Sequence, residues 1–179
     1  MLVVGVTGFR GSGKSLAAHA ARSLGIPVLE MRKPVVALMR KQGIKVTNRS
    51  LRLFADKIRR EHGKAVSARL AVDALRNMNV RVVLVNGVRS SEEIKEFRKN
   101  FNLRLVAVTA PIRMRFGRIL KRRRRDDPRK YSDFLWSERM ERHWGLAKAL
   151  ASADYVVKND STRAGCEKRI RLILKRLLA

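Results

Sequence analysis

Short runs of aliphatic and β-branched residues alternate along the chain with longer stretches in which apolar and polar residues recur with a helical period. Short apolar runs are typical of strands buried on both faces, whereas the longer periodic stretches indicate amphipathic helices. The run VRVVLV is the clearest strand. We predict five strands, at residues 2–6, 26–30, 80–85, 103–108 and 154–158.

Helical patterns fill most of the intervals between these strands. Gly43 and Gly63 interrupt the patterns and favour helix ends. Ser90 followed by Glu93 is typical of a capping box at a helix N-terminus, and Pro111 favours the start of another helix. The predicted helices cover 15–24, 33–42, 48–62 and 64–78, the stretches that begin at Ser90 and Pro111, a long helix from after RRRRDDP to about Leu150, and 161–178.

The alternation of strands and helices predicts the fold class. A parallel sheet with helices on both faces is the architecture that such an alternation produces. We therefore expect an α/β fold with a five-stranded parallel sheet sandwiched by helices. The 179 residues contain no internal repeat and no low-complexity linker, so we expect a single domain, 1–179.

The motif GFRGSGKS follows the first strand directly and matches the P-loop pattern in full. Gly11 and Gly13 allow the backbone to curl so that successive N–H groups point at phosphate oxygens. Lys14 neutralises the β- and γ-phosphates, and Ser15 offers a hydroxyl to Mg²⁺. The residues that we expect to hold ATP or GTP here are Gly8, Gly11, Ser12, Gly13, Lys14 and Ser15.

The charge of the chain is far from that of an ordinary small enzyme. Lys and Arg number 42 against 15 acids, which gives a formal net charge of +27. Such a charge predicts a polyanionic partner, and RNA fits better than a membrane because no basic helix has an aromatic apolar face. A basic thermophile surface is the alternative explanation. The candidate RNA-binding residues are Lys121, Arg122, Arg123, Arg124, Arg125, Arg129, Lys130, Lys168, Arg169, Arg171, Lys175 and Arg176.

Cysteine usage and apolar run lengths indicate the compartment. Cys166 is the single cysteine, so an internal disulfide is impossible. No apolar run approaches the ~20 residues that span a bilayer, and no basic region precedes the short apolar run at the start. We therefore expect a cytoplasmic protein with no membrane partner.

Three further segments carry a family resemblance: NGVRSSEEIKEF at 86–97, RRDDP at 124–128 and WGLAKALASADYVVKNDS at 144–161. Together with the P-loop they make the chain resemble an archaeal family of P-loop proteins related to adenylate kinase and dephospho-coenzyme A kinase. The resemblance implies the nucleoside-monophosphate-kinase fold. It also implies a helical acceptor arm near 33–75 and a basic lid near 113–140.

The resemblance also implies roles for single residues. Arg89 would contact an acceptor phosphate, and Arg118, Arg122 and Arg125 would close over the transferred phosphoryl group as lid arginines. Asn159 would lie in the loop that touches the adenine base. The catalytic candidates are Lys14, Arg89, Arg122 and Arg125.

Two departures from the family pattern affect the expected chemistry. Relatives carry an acid after the second strand and another after the third, where this chain has Lys33 and Asn86. No Asp or Glu occurs from 31 to 55 to replace the first acid. Because phosphoryl transfer depends on charge neutralisation around Mg²⁺, we expect a weakened hold on Mg²⁺ and largely lost catalysis.

The two aspartates of the basic stretch and the two tryptophans of the chain can each be interpreted in two ways. Asp126 and Asp127 are expected to pair with neighbouring arginines, or to form a solvated turn. Trp136 and Trp144 lie eight positions apart on the predicted long helix, and we favour core packing over base stacking for both.

Three functional hypotheses follow, of which we favour the first and keep the other two as alternatives. The first is a nucleotide-binding, catalytically degenerate kinase-fold protein that binds structured RNA, with ribosomal RNA and ribosomal proteins as partners, either as an rRNA-binding protein or as an assembly factor. The second is an active kinase that transfers the ATP γ-phosphate to a nucleotide or a dephospho-coenzyme A-like acceptor. The third is an ATPase in ribosome assembly.

Overall fold

Five parallel strands form one sheet in the computed structural model, which describes residues 1–123 and 127–178, apart from the side chain of Asn48. The strand order is β2-β3-β1-β4-β5, and all neighbouring strands pair in parallel. The predicted five-stranded parallel sheet is thereby confirmed. The strands are β1 (Leu2–Thr7), β2 (Val28–Glu30), β3 (Val82–Val88), β4 (Asn102–Thr109) and β5 (Tyr155–Lys158).

Helices connect successive strands and cover both faces of the sheet. In the described part of the chain they are α1 (Lys14–Ser23), α2 (Arg32–Lys41), α3 (Asn48–His62), α4 (Val66–Arg76), α5 (Ser91–Asn100), α6 (Ile112–Arg122), α7 (Tyr131–His143), α8 (Leu146–Ala151) and α9 (Arg163–Leu178).

The two faces of the sheet bury separate apolar cores. On one face, strand residues such as Val83 and Leu105 pack against α4, α5 and α8, with Phe97 completely buried among them. On the other face, Val4 and Val106 pack against α1 and α9. Burial of aliphatic side chains on both faces is what the continuous apolar strands predict.

The predicted long helix after the basic run is two helices. Gly145 separates α7 from α8 and has a φ of 97°, in the left-handed region that side chains with a Cβ disfavour. Trp144 is therefore the residue that ends α7 rather than a residue inside a continuous helix. Its ring packs with α2 and α3 in a third, smaller core group.

The carboxyl edge of the sheet collects the ends of several connections. The P-loop leaves β1 there, Glu30 ends β2, and Asn86 lies near the end of β3. Ligands of open parallel sheets bind at this edge. Within the described residues, no helix combines the length and the apolar character needed to cross a membrane.

Candidate functional site

The P-loop curls around the N-terminus of α1 because two of its glycines take backbone conformations that other residues disfavour. Gly11 has a φ of 80° and Gly13 a φ of 108°. A Cβ at Gly11 would lie 2.6 Å from the carbonyl oxygen of Arg115, and a Cβ at Gly13 would overlap the side-chain amide of Asn159. Only glycine fits at both positions, so the loop backbone is free to face a phosphate.

Asn159 and Arg118 support the loop from beneath. The Nδ2 of Asn159 donates to the carbonyl oxygen of Ser12 at 2.8 Å, and Arg118 donates to the backbone oxygen of Asn159 at 2.9 Å. Asn159 is buried. Asn159 directly follows β5, where the resemblance places it, and its side chain holds the P-loop while Arg118 holds Asn159. Contact of this loop with a base, and of Arg118 with a phosphoryl group, stays a prediction.

Lys14 lies among backbone oxygens and guanidinium groups. Its Nζ donates to the carbonyl oxygen of Phe9 at 3.0 Å and also to that of Gly8. Burial lowers the pKa of Lys14 to about 8, Glu141 opposes this shift, and Arg89, Arg122 and Arg115 reinforce it. A polyphosphate placed here would replace repulsion among like charges with attraction.

A cavity of about 220 Å³ opens beside the loop and extends to the helices that follow β2. It brings together predicted site residues from three separate parts of the chain: the P-loop, the end of β3 and the end of α6. Gly8 and Ser12 belong to the loop but not to this lining. The predicted residues that line the cavity are Gly11, Gly13, Lys14, Ser15, Asn86, Arg89 and Arg122.

Two carboxylates that the sequence interpretation missed also line the cavity. Glu30, at the end of β2, accepts hydrogen bonds from Nδ2 of Asn86 at 2.9 and 3.1 Å. Glu141, on α7, is buried and accepts a bond from the backbone N–H of Arg10 at 3.2 Å. Lys33, in contrast, is exposed on α2 and is absent from the lining. The position assigned to the missing acid is thus outside the cavity, while Glu30 lies inside it.

The sequence contains a feature that could have identified Glu30 as a site residue, but it contains none for Glu141. Glu30 is the last residue of a predicted strand, and polar residues at the carboxyl ends of parallel strands are candidates for a site. Glu141 lies in the interior of a helix that the sequence places at no particular distance from the P-loop.

Glu93 holds two arginines at the far wall of the cavity. Its carboxylate is completely buried and accepts from Arg59 at 2.8 Å and from the backbone N–H of Arg89 at 2.6 Å. Ser90 caps α5 as predicted, by accepting from the N–H of Glu93 at 3.1 Å. The Glu93 carboxylate, however, serves the arginines and not the reciprocal bond of a capping box.

Trp144 forms part of the same wall. The guanidinium carbon of Arg59 lies 4.7 Å from the centroid of the Trp144 ring, and the indole N–H donates to Asp56 at 3.0 Å. Burial lowers the pKa of Arg59, while Glu93 opposes that shift. Trp144 is buried in core packing, as predicted, and also lines the cavity. Trp136 is only half-buried.

Asp127 links Arg122, one of the predicted lid arginines, to Arg10 of the P-loop. Arg122 donates to both carboxylate oxygens of Asp127 at 2.7 Å, and Arg10 lies 3.1 Å from the same group. Burial alone raises the pKa of Asp127, but its bonds with Arg122 and Arg10 lower it overall. The predicted pairing of Asp127 with arginines is confirmed. Arg124, Arg125 and Asp126 lie outside the described residues.

The other predicted RNA-binding cations are divided between two regions. Lys121, Arg123, Arg129 and Lys130 are exposed around the end of α6 and the start of α7. On α9, Arg169 donates to the carbonyl oxygen of Lys158 at 2.6 Å, and Arg171 lies 3.4 Å from Glu167. The predicted RNA-binding cations that are exposed on α9 are Lys168, Arg169, Lys175 and Arg176.

Comparison with known proteins identifies archaeal relatives over essentially the full chain. A UPF0200 protein from Pyrococcus abyssi is 34% identical over 182 residues, which cover 99% of this chain and 97% of the relative. A UPF0200 protein from Hyperthermus butylicus is 37% identical over 176 residues, which cover 98% and 95%. No model of a known protein family matches the chain.

Solved structures with the same architecture include kinases. TT1252 from Thermus thermophilus has a TM-score of 0.69 at 22% identity and covers 98% of this chain and 97% of its own. A shikimate kinase from Bacteroides thetaiotaomicron has a TM-score of 0.62 at 16% identity, with 99% of each chain covered. A gluconokinase from Sinorhizobium meliloti has a TM-score of 0.60 at 16% identity, with 98% and 92% covered. These likenesses confirm the P-loop kinase fold.

Proposed function

This chain belongs to the UPF0200 family, and we propose that it binds a nucleoside triphosphate and transfers the terminal phosphoryl group to a small anionic acceptor. One observation supports this proposal above the others: a single cavity runs from Lys14 and Ser15 of the P-loop to a wall built by Arg59, Arg89 and Trp144. A site for phosphates and a space for a second molecule are therefore contiguous, as in-line transfer requires.

The donor end of the cavity has the groups that a triphosphate needs. The loop N–H groups and Lys14 offer hydrogen bonds and positive charge to its phosphates. Ser15, Glu30 and Asn86 offer oxygen ligands or acceptors of the kind that Mg²⁺ and its water molecules favour, so the residues present fit this ion. When bound, Mg²⁺ would neutralise charge on the phosphate oxygens.

The acceptor end favours an anion. Within the described part of the chain, Arg89 makes no ion pair with a carboxylate, and its guanidinium donates only to the carbonyl oxygen of Gly87 at 3.2 Å. The charge of Arg59 is matched by Glu93, so Arg59 forms part of the cavity wall and does not offer its charge to an acceptor. Val35, Leu51 and Ala55 add apolar surface. An acceptor with one anionic group and an apolar body fits these surroundings.

The hypothesis of lost catalysis depends on missing acids, and the site still contains two. Glu30 and Glu141 line the cavity at the carboxyl edge of the sheet and on α7. Their presence supports phosphoryl transfer over simple binding of the nucleotide. The cavity has a carboxylate available even though Lys33 and Asn86 stand where relatives carry acids.

Transfer of label from [γ-³²P]ATP tests the proposal. The purified chain is incubated with Mg²⁺ and a panel of nucleoside monophosphates, dephospho-coenzyme A, hydroxy acids and sugar acids. Labelled acceptor, lost in Lys14→Ala and retained in the exposed control Lys33→Ala, would support the proposal. ATP binding with no labelled product from any of these classes would refute it. Hydrolysis without an acceptor, stimulated by ribosomal particles, would favour an assembly ATPase instead.

We propose RNA binding as a second, separate function. The observation in its favour is the net charge of +27, together with the exposed cations at the end of α6 and along α9, which exceed what a phosphotransfer site uses. Counterion release from an RNA backbone would relieve the repulsion among them.

Salt-dependent RNA binding tests this second proposal. We expect the affinity for ribosomal RNA fragments to fall steeply as salt rises, and the chain to co-migrate with ribosomal particles at low salt only. The triple variant Lys168→Glu, Lys175→Glu, Arg176→Glu should lower the salt slope, whereas a triple control on exposed α2 positions, Lys33→Glu, Arg40→Glu, Lys41→Glu, should lower it less. Equal losses in both variants would indicate only non-specific attraction.

A further inference from the structure

We propose that Glu30 supplies the negative charge that orders hydrated Mg²⁺ beside the P-loop, and that Asn86 is the residue that positions it. This inference depends on the proposed binding of a nucleoside triphosphate. In this arrangement the carboxylate that acts on Mg²⁺ comes from β2, because the position on the neighbouring strand β3 is occupied by the neutral amide of Asn86.

The register of the sheet places the two side chains together. Glu30 and Asn86 are paired partners of the parallel ladder between β2 and β3. Nδ2 of Asn86 donates to both carboxylate oxygens of Glu30, at 2.9 and 3.1 Å. Two bonds from one amide fix the direction of the carboxylate, because each oxygen has a donor on the same side.

The orientation of the Asn86 amide leaves an acceptor unused. A carboxylate accepts but cannot donate, so Nδ2 faces Glu30 and Oδ1 faces away from it. Oδ1 is buried and has no hydrogen-bond partner among the described residues. A buried oxygen without a donor is costly, and a metal-bound water molecule is a donor that would satisfy it.

The pair lies beside the P-loop. Asn86 is also the ladder partner of Val6 in β1, two residues before the P-loop begins. Glu30, Asn86, Lys14 and Ser15 line one cavity. Mg²⁺ in nucleotide sites keeps several of its water molecules and takes one or two carboxylates from the protein. Asn86 has no charge to contribute, so among the described residues that line the cavity Glu30 is the carboxylate at the sheet edge that meets the requirement.

The surroundings of Glu30 agree with a role toward a cation. Within the described residues, its partner is the neutral amide of Asn86 and not a Lys or Arg. In a chain with 42 basic residues, a cavity carboxylate that forms no salt bridge within the described residues is available to a cationic ligand.

Mn²⁺ binding in the presence of a non-hydrolysable ATP analogue tests the assignment independently of turnover. Electron paramagnetic resonance measures the Mn²⁺ affinity of the complex, and calorimetry measures analogue affinity with and without Mg²⁺. Glu30→Gln should lower Mn²⁺ affinity by about 10- to 100-fold, the usual cost of losing a partner of a bound metal. The double variant Glu30→Gln, Asn86→Asp should recover most of the loss, because it returns a carboxylate to the adjacent strand.

Controls separate this inference from the proposed function. Glu61→Gln, which changes an exposed acid on α3, should leave Mn²⁺ affinity unchanged. Asn86→Ala, which removes the positioning bonds but keeps the carboxylate, should lower Mn²⁺ affinity less than Glu30→Gln, and it carries the test if Glu30→Gln does not fold. Unchanged Mn²⁺ affinity in Glu30→Gln, with the analogue still bound, would overturn the role of Glu30 alone. Failure of the wild-type chain to bind the analogue would overturn both.

Discussion

Asn159 and Ser12 are joined by a buried hydrogen bond of 2.8 Å between the side-chain amide of one and the backbone carbonyl of the other. This bond ties the segment after β5 to the middle of the P-loop, across 147 positions of sequence. Gly13 must lack a side chain because the Asn159 amide occupies that space. The shape of the P-loop therefore depends on a residue near the far end of the chain.

Replacing Asn159 by Ala should loosen the P-loop. The substitution leaves the Ser12 carbonyl without its donor and removes the Asn159 Oδ1 that lies 3.3 Å from Arg118, although Arg118 keeps its bond to the backbone oxygen of residue 159. A buried group that loses its partner costs about 1–3 kcal/mol. We expect a loss of unfolding free energy in that range and weaker ATP binding, measured by chemical denaturation and calorimetry. Asn77→Ala, at an exposed helix end, should change neither quantity by a comparable amount.

The affinity for ATP should fall as pH rises above about 8. The pKa of Lys14 is about 8, lowered chiefly by burial, and a bound polyphosphate would raise it by attraction. Binding above pH 8 therefore takes up a proton, and affinity declines by at most about tenfold per pH unit. Calorimetry of a non-hydrolysable analogue between pH 7 and 9.5 would measure this.

Lys14→Arg is the control for that pH profile, since guanidinium stays charged throughout the range. A profile of the same shape in this variant would assign the titration to another group.

The folding stability of the chain without nucleotide should change with pH in the opposite direction. The unfolded chain holds the Lys14 proton up to about 10.5 and the folded chain only to about 8, so Lys14 adds stability as pH rises between these values.

The buried ion pair between Arg115 and Glu138 should be essential for folding stability. Arg115 donates to both carboxylate oxygens at 2.6 and 2.8 Å, and it also donates to the backbone oxygen of Arg10 in the P-loop at 3.2 Å. Glu138→Ala leaves a buried guanidinium without its counter-charge, and we expect a loss of about 3–5 kcal/mol in unfolding free energy.

An exposed pair offers the matched comparison. Lys57 and Glu61 lie 3.9 Å apart on the surface of α3, and Glu61→Ala should cost less than about 1 kcal/mol. Urea denaturation of both variants would compare the two pairs directly. Similar small losses would mean that the buried pair relaxes into water when one partner is removed.

Gly145→Ala should destabilise the chain by strain at the break between α7 and α8. An alanine there must adopt a φ near 97°, and its Cβ would contact Ser90 at about 3.5 Å. We expect a loss above about 1 kcal/mol, measured as a lower midpoint of thermal unfolding. Gly117→Ala, inside α6 with open space around it, should instead be neutral or stabilising by up to about 1 kcal/mol.

The strands, the P-loop and the α/β architecture were accessible from local patterns. Apolar runs such as VRVVLV report burial on both faces, and the motif GFRGSGKS requires its glycines and Lys14 at fixed spacing. The break at Gly145 was missed because the apolar pattern continues through it. A single glycine inside a helical period does not reveal its φ, which depends on the packing of α8 against the sheet.

The acids of the cavity needed the tertiary structure. Glu93 has the sequence position of a helix cap, yet its carboxylate holds Arg59 and Arg89 because α3 packs close to the start of α5. Glu141 reaches the P-loop only because α7 folds back over it. Neither contact has a signature in spacing, since the partners come from separate elements.

The sequence by itself determined which segments become strands and helices, and that a phosphate-binding loop follows the first strand, because these features depend on neighbours within a few residues. Only the tertiary structure decided which charged groups share the cavity, since side-chain partnership there depends on strand register and helix packing. Lys33 and Glu30 illustrate the difference: three positions apart in the chain, one is exposed on a helix and the other faces Asn86 at the carboxyl edge of the sheet.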